Sequence, residues 1–277
     1  MKRWGRMLHP LRRWWPVAAQ QSDGGEPSMI ARGWDDYATR WKPDRFHVLP
    51  GNTVEHLGDE WTAEDTSGGG TTYGLDDPSI KDFSRFLSEQ VLDKYLPPHS
   101  REALEIGPGG GRFTSLLLPR TDILHAADPS AAMLKRLTAR FNGTPALRTY
   151  VTDGMTLPPL ARGSLAFVAS FDVFVHFEPR LVYWYLRQIM PLLRPGGIGL
   201  IHYASVVSPI GWRQFEADLE GNVKQRTSFC AFGTMCPQLM EQFLKALDLQ
   251  VISSDVGVIP RDAIAVFRKT ASNTAGS

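Results

Sequence analysis

The sequence has few of the features that would assign it to a specialised class of protein. It contains two cysteines in 277 residues, Cys230 and Cys236, and their spacing matches neither a zinc knuckle nor a C-x-x-C redox pair. Its apolar runs are far shorter than the roughly 18 residues of a membrane-spanning helix. The formal net charge is only +1, so no global field attracts nucleic acid or membrane. We therefore expect a cytoplasmic protein with reduced thiols and no metal site.

The near-neutral total hides a basic N-terminus. The first 20 residues hold five cations, no acid and three tryptophans, which leaves 25 basic and 29 acidic residues in the rest of the chain. Tryptophan and arginine both suit a membrane interface, but Pro10 and Pro16 interrupt any helix and no apolar stretch resembles a secretory signal. Residues 1–28 are interpreted as a basic tail and linker, either disordered or in weak contact with a membrane surface.

Residues 29–98 are expected to form a helical, aromatic extension. Trp34, Tyr37 and Trp41 are spaced i, i+3 and i+7, which places them on one helix face. That face either packs on the main domain or contacts a substrate. A second helix is predicted from about Pro78 to Tyr95 by its apolar stripe.

From residue 99 to about 270, strand and helix patterns alternate. This alternation predicts an α/β fold, a doubly wound and mostly parallel seven-stranded sheet with helices on both faces. The last two strands have no clear helix between them, which favours one antiparallel strand. Residues 271–277 are expected to be disordered. The strand candidates are Leu104–Ile106, Ile123–Ala127, Leu147–Val151, Leu165–Ser170, Ile198–Tyr203, Val251–Ser254 and Ala263–Arg268; the helix candidates are Phe113–Leu118, Ala131–Phe141, Leu181–Leu193 and Pro237–Leu247.

A glycine-dense turn follows the first of these strands. After Glu105, the turn has glycine at positions 107, 109, 110 and 111 and leads into an apolar run. Glycine costs backbone entropy on folding, so four in five residues need a physical reason. An ordinary loop is one interpretation, but the strand–turn–helix context favours a ligand that approaches the backbone closely.

Acidic residues recur where the later strands end. Asp128, about 20 residues past the loop, stands where a carboxylate holds a ribose diol in such sheets, and Asp153 could accept a hydrogen bond from an adenine amine. Each has a plainer interpretation, because Asp128 could cap the next helix and Asp153-Gly154 could form a turn. Jointly they indicate a ligand that contains adenosine. The fourth such strand end carries Ser170-Phe171-Asp172, followed by His176.

The kind of ligand is narrowed by what the loop does not contain. A dinucleotide fingerprint needs a small residue where Arg112 stands, and no G-x-x-x-x-G-K-[ST] phosphate loop occurs. An adenosine ligand without a diphosphate therefore fits better.

Five ordered motifs over residues 100–204 resemble the class I S-adenosylmethionine (SAM)-dependent methyltransferases. The glycine turn with Glu105 resembles their motif I, E/D-x-G-x-G-x-G. The other four are residues 128–134, residues 152–158, residues 164–176 and the Leu-Arg-Pro-Gly-Gly turn at residues 193–197. Residues 1–60 are not covered by the resemblance.

The resemblance implies a role for each motif residue. The loop would face the methionine end of SAM, with Glu105 oriented toward that end, and Asp128 with Pro129 would hold the ribose. Asp153 and Gly154 would contact adenine, and Ser170 or Phe171 would lie near the methyl group. The product would be S-adenosylhomocysteine, and no metal is needed. The loop residues concerned are Gly107, Pro108, Gly109 and Gly111.

Catalysis is expected to depend mainly on alignment of the acceptor with the methyl group. A hydroxyl acceptor also needs a base, for which His176 is the first candidate and His202 the second. The alternative for His176 is a histidine that packs or caps a helix start. Asp172 would orient such a histidine or bind substrate itself.

The acceptor is expected to be a small molecule, sugar or lipid-linked glycan, methylated at oxygen beneath the Trp34, Tyr37 and Trp41 face. The alternatives are N-methylation of a small molecule, or an inactive methyltransferase-like binding protein. Nucleic acid is not expected as a partner, because no basic patch is interleaved with aromatic residues.

Overall fold

The structure, a computed structural model, describes residues 29–40, 46–48, 54–56, 73, 82–224 and 232–271. The basic tail, Trp41, Cys230 and residues 272–277 lie outside the described residues. Within those residues, no helix has the length and apolar character needed to cross a membrane.

The central element is a seven-stranded sheet. Its strands are β3 (Ser100–Ile106), β4 (Thr121–Asp128), β5 (Leu147–Val151), β6 (Leu165–Phe174), β7 (Leu193–Ala204), β8 (Leu249–Ser253) and β9 (Asp262–Lys269), in the order β5-β4-β3-β6-β7-β9-β8. Strands β3 to β7 pair in parallel, and β9 is antiparallel to both β7 and β8. The predicted doubly wound sheet with one antiparallel strand is confirmed. A separate two-stranded antiparallel hairpin, β1 (Phe46–Val48) and β2 (Val54–His56), was not predicted.

Helices cover both faces of this sheet. They are α1 (Met29–Arg40), α2 (Phe83–Leu87), α3 (Asp93–Tyr95), α4 (Thr114–Leu117), α5 (Ala131–Arg140), α6 (Pro179–Leu192), α7 (Pro209–Lys224) and α8 (Pro237–Ala246). A π-helical turn, Ser88–Leu92, joins α2 to α3, and a 3₁₀ turn, Leu118–Arg120, follows α4. Helix α7 was not predicted, because apolar residues such as Trp212 and Leu219 lie on its exposed side and the helix therefore has no clear apolar stripe.

The core divides into two layers because side chains alternate between the faces of a strand. Leu104 and Val168 face α6 and α8, whereas their neighbours Ala103 and Phe167 face α2 and the π-helical turn. Burial on both faces explains why the central strands read as continuous apolar runs.

Helix α1 packs on α5, beside the carboxyl end of β4. Its Asp35 Oδ1 accepts hydrogen bonds from Ser130 Oγ at 2.5 Å and from Ala132 N at 3.2 Å. Tyr37 packs against Met133. The aromatic face of α1 therefore lies next to the strand end that carries Asp128.

Candidate functional site

The glycine turn after β3 is shaped by its backbone and by its packing. Gly107, Gly109 and Gly111 have φ of +70°, +52° and +96°, a region that side chains with a Cβ avoid. A Cβ on Gly107 would overlap Val173 Cγ2, and one on Gly111 would lie 2.6 Å from the Phe141 ring. The glycines are therefore needed by the chain itself, in addition to any need to admit a ligand.

Glu105 lies beneath this turn and is only 1% exposed. Its Oε2 accepts a hydrogen bond from Thr114 Oγ1 at 2.7 Å, while Oε1 has no hydrogen-bond partner among the described residues. Burial raises the pKa of Glu105 to about 8 because desolvation disfavours the charged form. The side chain lies under the turn, and its Oε1 remains available for a further hydrogen bond.

Asp128 closes β4 beside the same turn. Its Oδ1 accepts from Ser130 N at 2.8 Å, and Gly109 N lies 3.4 Å from its Oδ2. Ser130 caps α5, since Ser130 Oγ accepts from Met133 N, so the helix-cap interpretation of Asp128 is wrong. Burial raises the pKa of Asp128 to about 6, against the lowering effect of these backbone hydrogen bonds.

Asp153 forms a local turn. Its Oδ1 accepts from Met155 N at 2.8 Å and Thr156 N at 2.6 Å, and its Oδ2 accepts from Thr156 Oγ1. Gly154 has φ of +78°. The turn interpretation is therefore correct, while contact with adenine stays a prediction.

The end of β6 is held by side-chain contacts with its neighbours. Ser170 Oγ donates to Ile106 O at 2.8 Å, which ties β6 to β3. Phe171 is buried and stacks on His202 at 4.2 Å between ring centroids. Both predicted methyl-site residues thus have structural contacts of their own.

Asp172 follows in a left-handed conformation, φ +59°, which is uncommon for a residue with a side chain and costs energy. Its Oδ2 accepts from Tyr73 OH and from Arg112 NH2, the latter at 3.1 Å. Burial alone would raise the pKa of Asp172, but the contact with His202 and the nearby charges hold it well below its usual range. Asp172 is therefore an anion, and its side chain is 28% exposed.

His202 lies below Asp172 and is completely buried. Its Nδ1 accepts from Asp172 N at 3.1 Å, and its Nε2 lies 3.1 Å from Asp262 Oδ2, outside hydrogen-bond geometry. Burial lowers the pKa of His202, and the carboxylates of Asp172 and Asp262 outweigh this and raise it. Asp262 Oδ2 in turn accepts from Arg261 Nε at 2.8 Å and NH2 at 2.5 Å.

Six residues around Asp172 and His202 are joined by these contacts, and we call them the buried charge network. Two of its members, Asp172 and His202, were predicted as site residues and the other four were not, because the partners in this network are far apart in the chain. The local sequence gave one signal, the charged pair Arg261-Asp262 at the start of the apolar strand β9. The network consists of Tyr73, Arg112, Asp172, His202, Arg261 and Asp262.

His176 lies outside this network, beyond the end of β6. Its ring lies between Trp34 of α1, at 5.5 Å, and Phe232, at 5.6 Å between centroids. Trp34 also contacts Tyr37 edge-on at 5.4 Å. The structure thus brings together His176 and the predicted aromatic face, whereas the side-chain partners of Asp172 in the described chain are Tyr73, Arg112 and His202.

Comparison with known proteins identifies the domain and the fold. A family model described as a methyltransferase domain matches residues 104–201. No curated protein matches the sequence.

Solved structures share the fold at low sequence identity. A SAM-dependent methyltransferase from Methanosarcina mazei has 12% identity and a TM-score of 0.52, covering 65% of this chain and 97% of that one. A putative methyltransferase from Bacillus halodurans has 14% identity and a TM-score of 0.50, and the match covers 67% of this chain and 99% of that one. A putative sarcosine dimethylglycine methyltransferase from Galdieria sulphuraria has 13% identity and a TM-score of 0.50, and the match covers 68% of this chain and 85% of that one.

The seven-stranded sheet and the glycine turn define a Rossmann-like methyltransferase fold, in which residues 104–201 form the matched domain. Residues 104–201 thus match a methyltransferase domain, and the chain shares its fold with solved SAM-dependent methyltransferases.

Proposed function

We propose that the chain transfers the methyl group of SAM to an oxygen of a small hydroxylated acceptor, a sugar or a related small molecule. The observation that supports this most directly is the position of His176 between Trp34 and Phe232. A half-buried imidazole between aromatic rings provides both a base and a surface for an uncharged molecule. Helix α1 is then part of a cap over the acceptor.

The residues at the carboxyl ends of β3 and β4 fit the cofactor. The glycine turn and Glu105, whose Oε1 is uncommitted among the described residues, would hold the methionine end of SAM. Asp128 would accept from the ribose hydroxyls, and Asp153 with Gly154 would contact the adenine. When bound, SAM supplies an electrophilic methyl group on a sulfonium.

The remaining roles follow from burial and charge. His176 would take the proton of the acceptor hydroxyl as the methyl group passes from sulfur to that oxygen, which leaves S-adenosylhomocysteine as the product. His202 is sealed beneath Phe171, so we do not propose it as a base. Asp172 is a poor base because its pKa is lowered, but as a partly exposed anion it can accept a hydrogen bond from the acceptor.

Two measurements test the proposal. Calorimetry with SAM and S-adenosylhomocysteine should show binding of both, and absence of binding at millimolar concentration would instead identify an inactive binding protein. A screen with labelled SAM against sugars, small alcohols, phenols and amines should then transfer label to hydroxyl-bearing compounds. Transfer to amines alone would establish the N-methylation alternative.

Replacing Asp128 with asparagine is expected to weaken binding of S-adenosylhomocysteine about tenfold or more, since hydrogen bonds to a charged acceptor contribute roughly 1.5–3 kcal/mol. In the wild-type chain, ribose hydroxyls favour the ionised carboxylate, so affinity is full only well above pH 6 and falls as the pH drops through that pKa. We expect affinity at pH 5 about tenfold below that at pH 8. The same pH series on Asp128→Asn is the control, and an equal pH dependence in both proteins would contradict the assignment.

Replacing His176 with alanine is expected to lower kcat about 10²–10⁴-fold on the acceptor found in the screen, with binding of S-adenosylhomocysteine unchanged. His99→Ala is a matched control, because His99 is exposed and pairs with Asp122 at the other end of the sheet. Turnover of His176→Ala equal to wild type would remove His176 as the base.

A further inference from the structure

Helix α1 is attached to the methyltransferase domain through the carboxylate of Asp35. This half-buried side chain receives two hydrogen bonds at its Oδ1, from Ser130 Oγ at 2.5 Å and from Ala132 N at 3.2 Å. Both donors lie at the start of α5, where the N–H groups of the first turn favour an anion. The contacts join segments that are 95 and 97 positions apart in the chain, so they fix where the N-terminal helix lies on the sheet.

Ser130 is shared between Asp35 and the carboxylate at the end of β4. Its backbone N–H donates to Asp128 Oδ1 at 2.8 Å, while its hydroxyl donates to Asp35 and accepts from Met133 N at 3.0 Å. The residue is completely buried. One serine therefore holds both helix α1 and the carboxylate proposed to bind the ribose.

The other end of this connection reaches the proposed base. Trp34 precedes Asp35 on α1, and its ring centroid lies 5.5 Å from that of His176. Tyr37 of the same helix contacts Trp34 edge-on and packs against Met133 of α5. Because Trp34 and Asp35 are neighbours on one helix, the anchor at Asp35 determines how closely the indole approaches His176.

We propose that Asp35 is a positioning residue that couples the two halves of the active site. Its hydrogen bonds to α5 hold Trp34 against His176, and its negative charge acts on Asp128. The inference rests on the proposed function and extends it, because it names the contact that attaches the cap over the acceptor to the cofactor side of the site.

The two effects of Asp35 can be separated. Burial is the largest cause of the raised pKa of Asp128, and the charge of Asp35 adds to it. The other titratable groups that interact with Asp128 are Glu105 of β3 and Tyr185 of α6. Asparagine at position 35 keeps an oxygen that can accept both hydrogen bonds but carries no charge, whereas alanine removes the acceptor and the charge together.

The first test measures the affinity for S-adenosylhomocysteine between pH 5 and pH 8. Without the like charge, Asp128 ionises at lower pH, and we expect the curve of Asp35→Asn to move down by roughly 0.5 pH unit, so that it binds about threefold more tightly than wild type at pH 5. Damage to the fold would weaken binding instead. Asp36→Asn is the matched control, because Asp36 is the next residue on α1 and is exposed, and its curve is expected to equal that of wild type.

The second test reports the placement of Trp34 without needing the acceptor. The NMR signals of the His176 ring are identified by their absence from His176→Ala. The ring current of Trp34 shifts them, so Asp35→Ala is expected to move them, and Asp35→Asn and Asp36→Ala are not. With the acceptor found in the screen, Asp35→Ala should raise KM about fivefold or more, while its affinity for S-adenosylhomocysteine at pH 8 stays unchanged.

The outcomes separate the two proposals. Failure of the wild-type chain to bind S-adenosylhomocysteine would overturn the proposed function. Normal binding, with His176 signals that Asp35→Ala leaves in place, would overturn the positioning role alone. A pH curve of Asp35→Asn that coincides with wild type would also overturn it, and that curve decides if Asp35→Ala does not fold.

Discussion

Replacing Arg261 with methionine is expected to lower the free energy of unfolding by about 3–5 kcal/mol. The Arg261 guanidinium donates twice to Asp262 and lies between the rings of Tyr73 and Phe232, at 5.3 and 4.6 Å from their centroids. Methionine preserves much of the packing but leaves the Asp262 carboxylate buried without its main counter-charge. The large cost comes from that uncompensated charge rather than from the lost contacts.

The measurement is denaturant unfolding at pH 7, compared with the double variant Arg261→Met/Asp262→Asn. Because the double variant removes both charges, it is expected to recover much of the loss, and the coupling between the two sites then follows from the cycle. A single variant within about 1 kcal/mol of wild type would show that the pair behaves as an exposed salt bridge.

Replacing Gly107 with alanine is expected to affect both stability and cofactor binding. The left-handed conformation costs an alanine about 1–2 kcal/mol, and overlap with Val173 Cγ2 adds about 1–3 kcal/mol. Moving Val173 also shifts the turn that carries the proposed cofactor contacts. We therefore expect stability to fall by the sum of the two effects, and binding of S-adenosylhomocysteine to fall more than tenfold.

Two variants separate these effects. Gly257 has φ of +69°, nearly the same as Gly107, and a methyl group added there would have nothing within 4 Å, so Gly257→Ala reports the backbone cost alone. Gly107→Ala/Val173→Ala removes the overlap and keeps the backbone cost. If Gly107→Ala is no worse than Gly257→Ala in unfolding, packing against Val173 does not explain the glycine.

The sheet could be predicted from sequence because its signals are local. The segment Leu147–Val151, which includes β-branched and aromatic residues and is bounded by turn residues, gives the strand with its observed limits. The missed hairpin of β1 and β2 has strands of three residues each, too short to show a period. Helix α7 was missed for a related reason, since its apolar residues do not all face the core.

The site was predictable only where neighbouring residues define it. Asp128 was correctly placed at a strand end, but the sequence could not show that Ser130 caps the helix. The partners of Asp172 are Tyr73 and Arg112, 99 and 60 positions away. Such pairings depend on how the sheet brings distant segments together, and no spacing in the chain encodes them.

The strand order also has a consequence for synthesis of the protein. Strand β9 follows β8 in the chain but lies between β7 and β8 in the sheet, so β8 cannot join the sheet until β9 has left the ribosome. Until then the edge of β7 is open, and an unpaired apolar edge invites pairing with other chains. Asp262 arrives with β9 and lies next to His202 on β7, and Arg261, directly before β9, pairs with Asp262. The last step of sheet assembly therefore also completes the buried charge network. A nascent chain released before Asp262 is made would have neither the complete sheet nor the complete network.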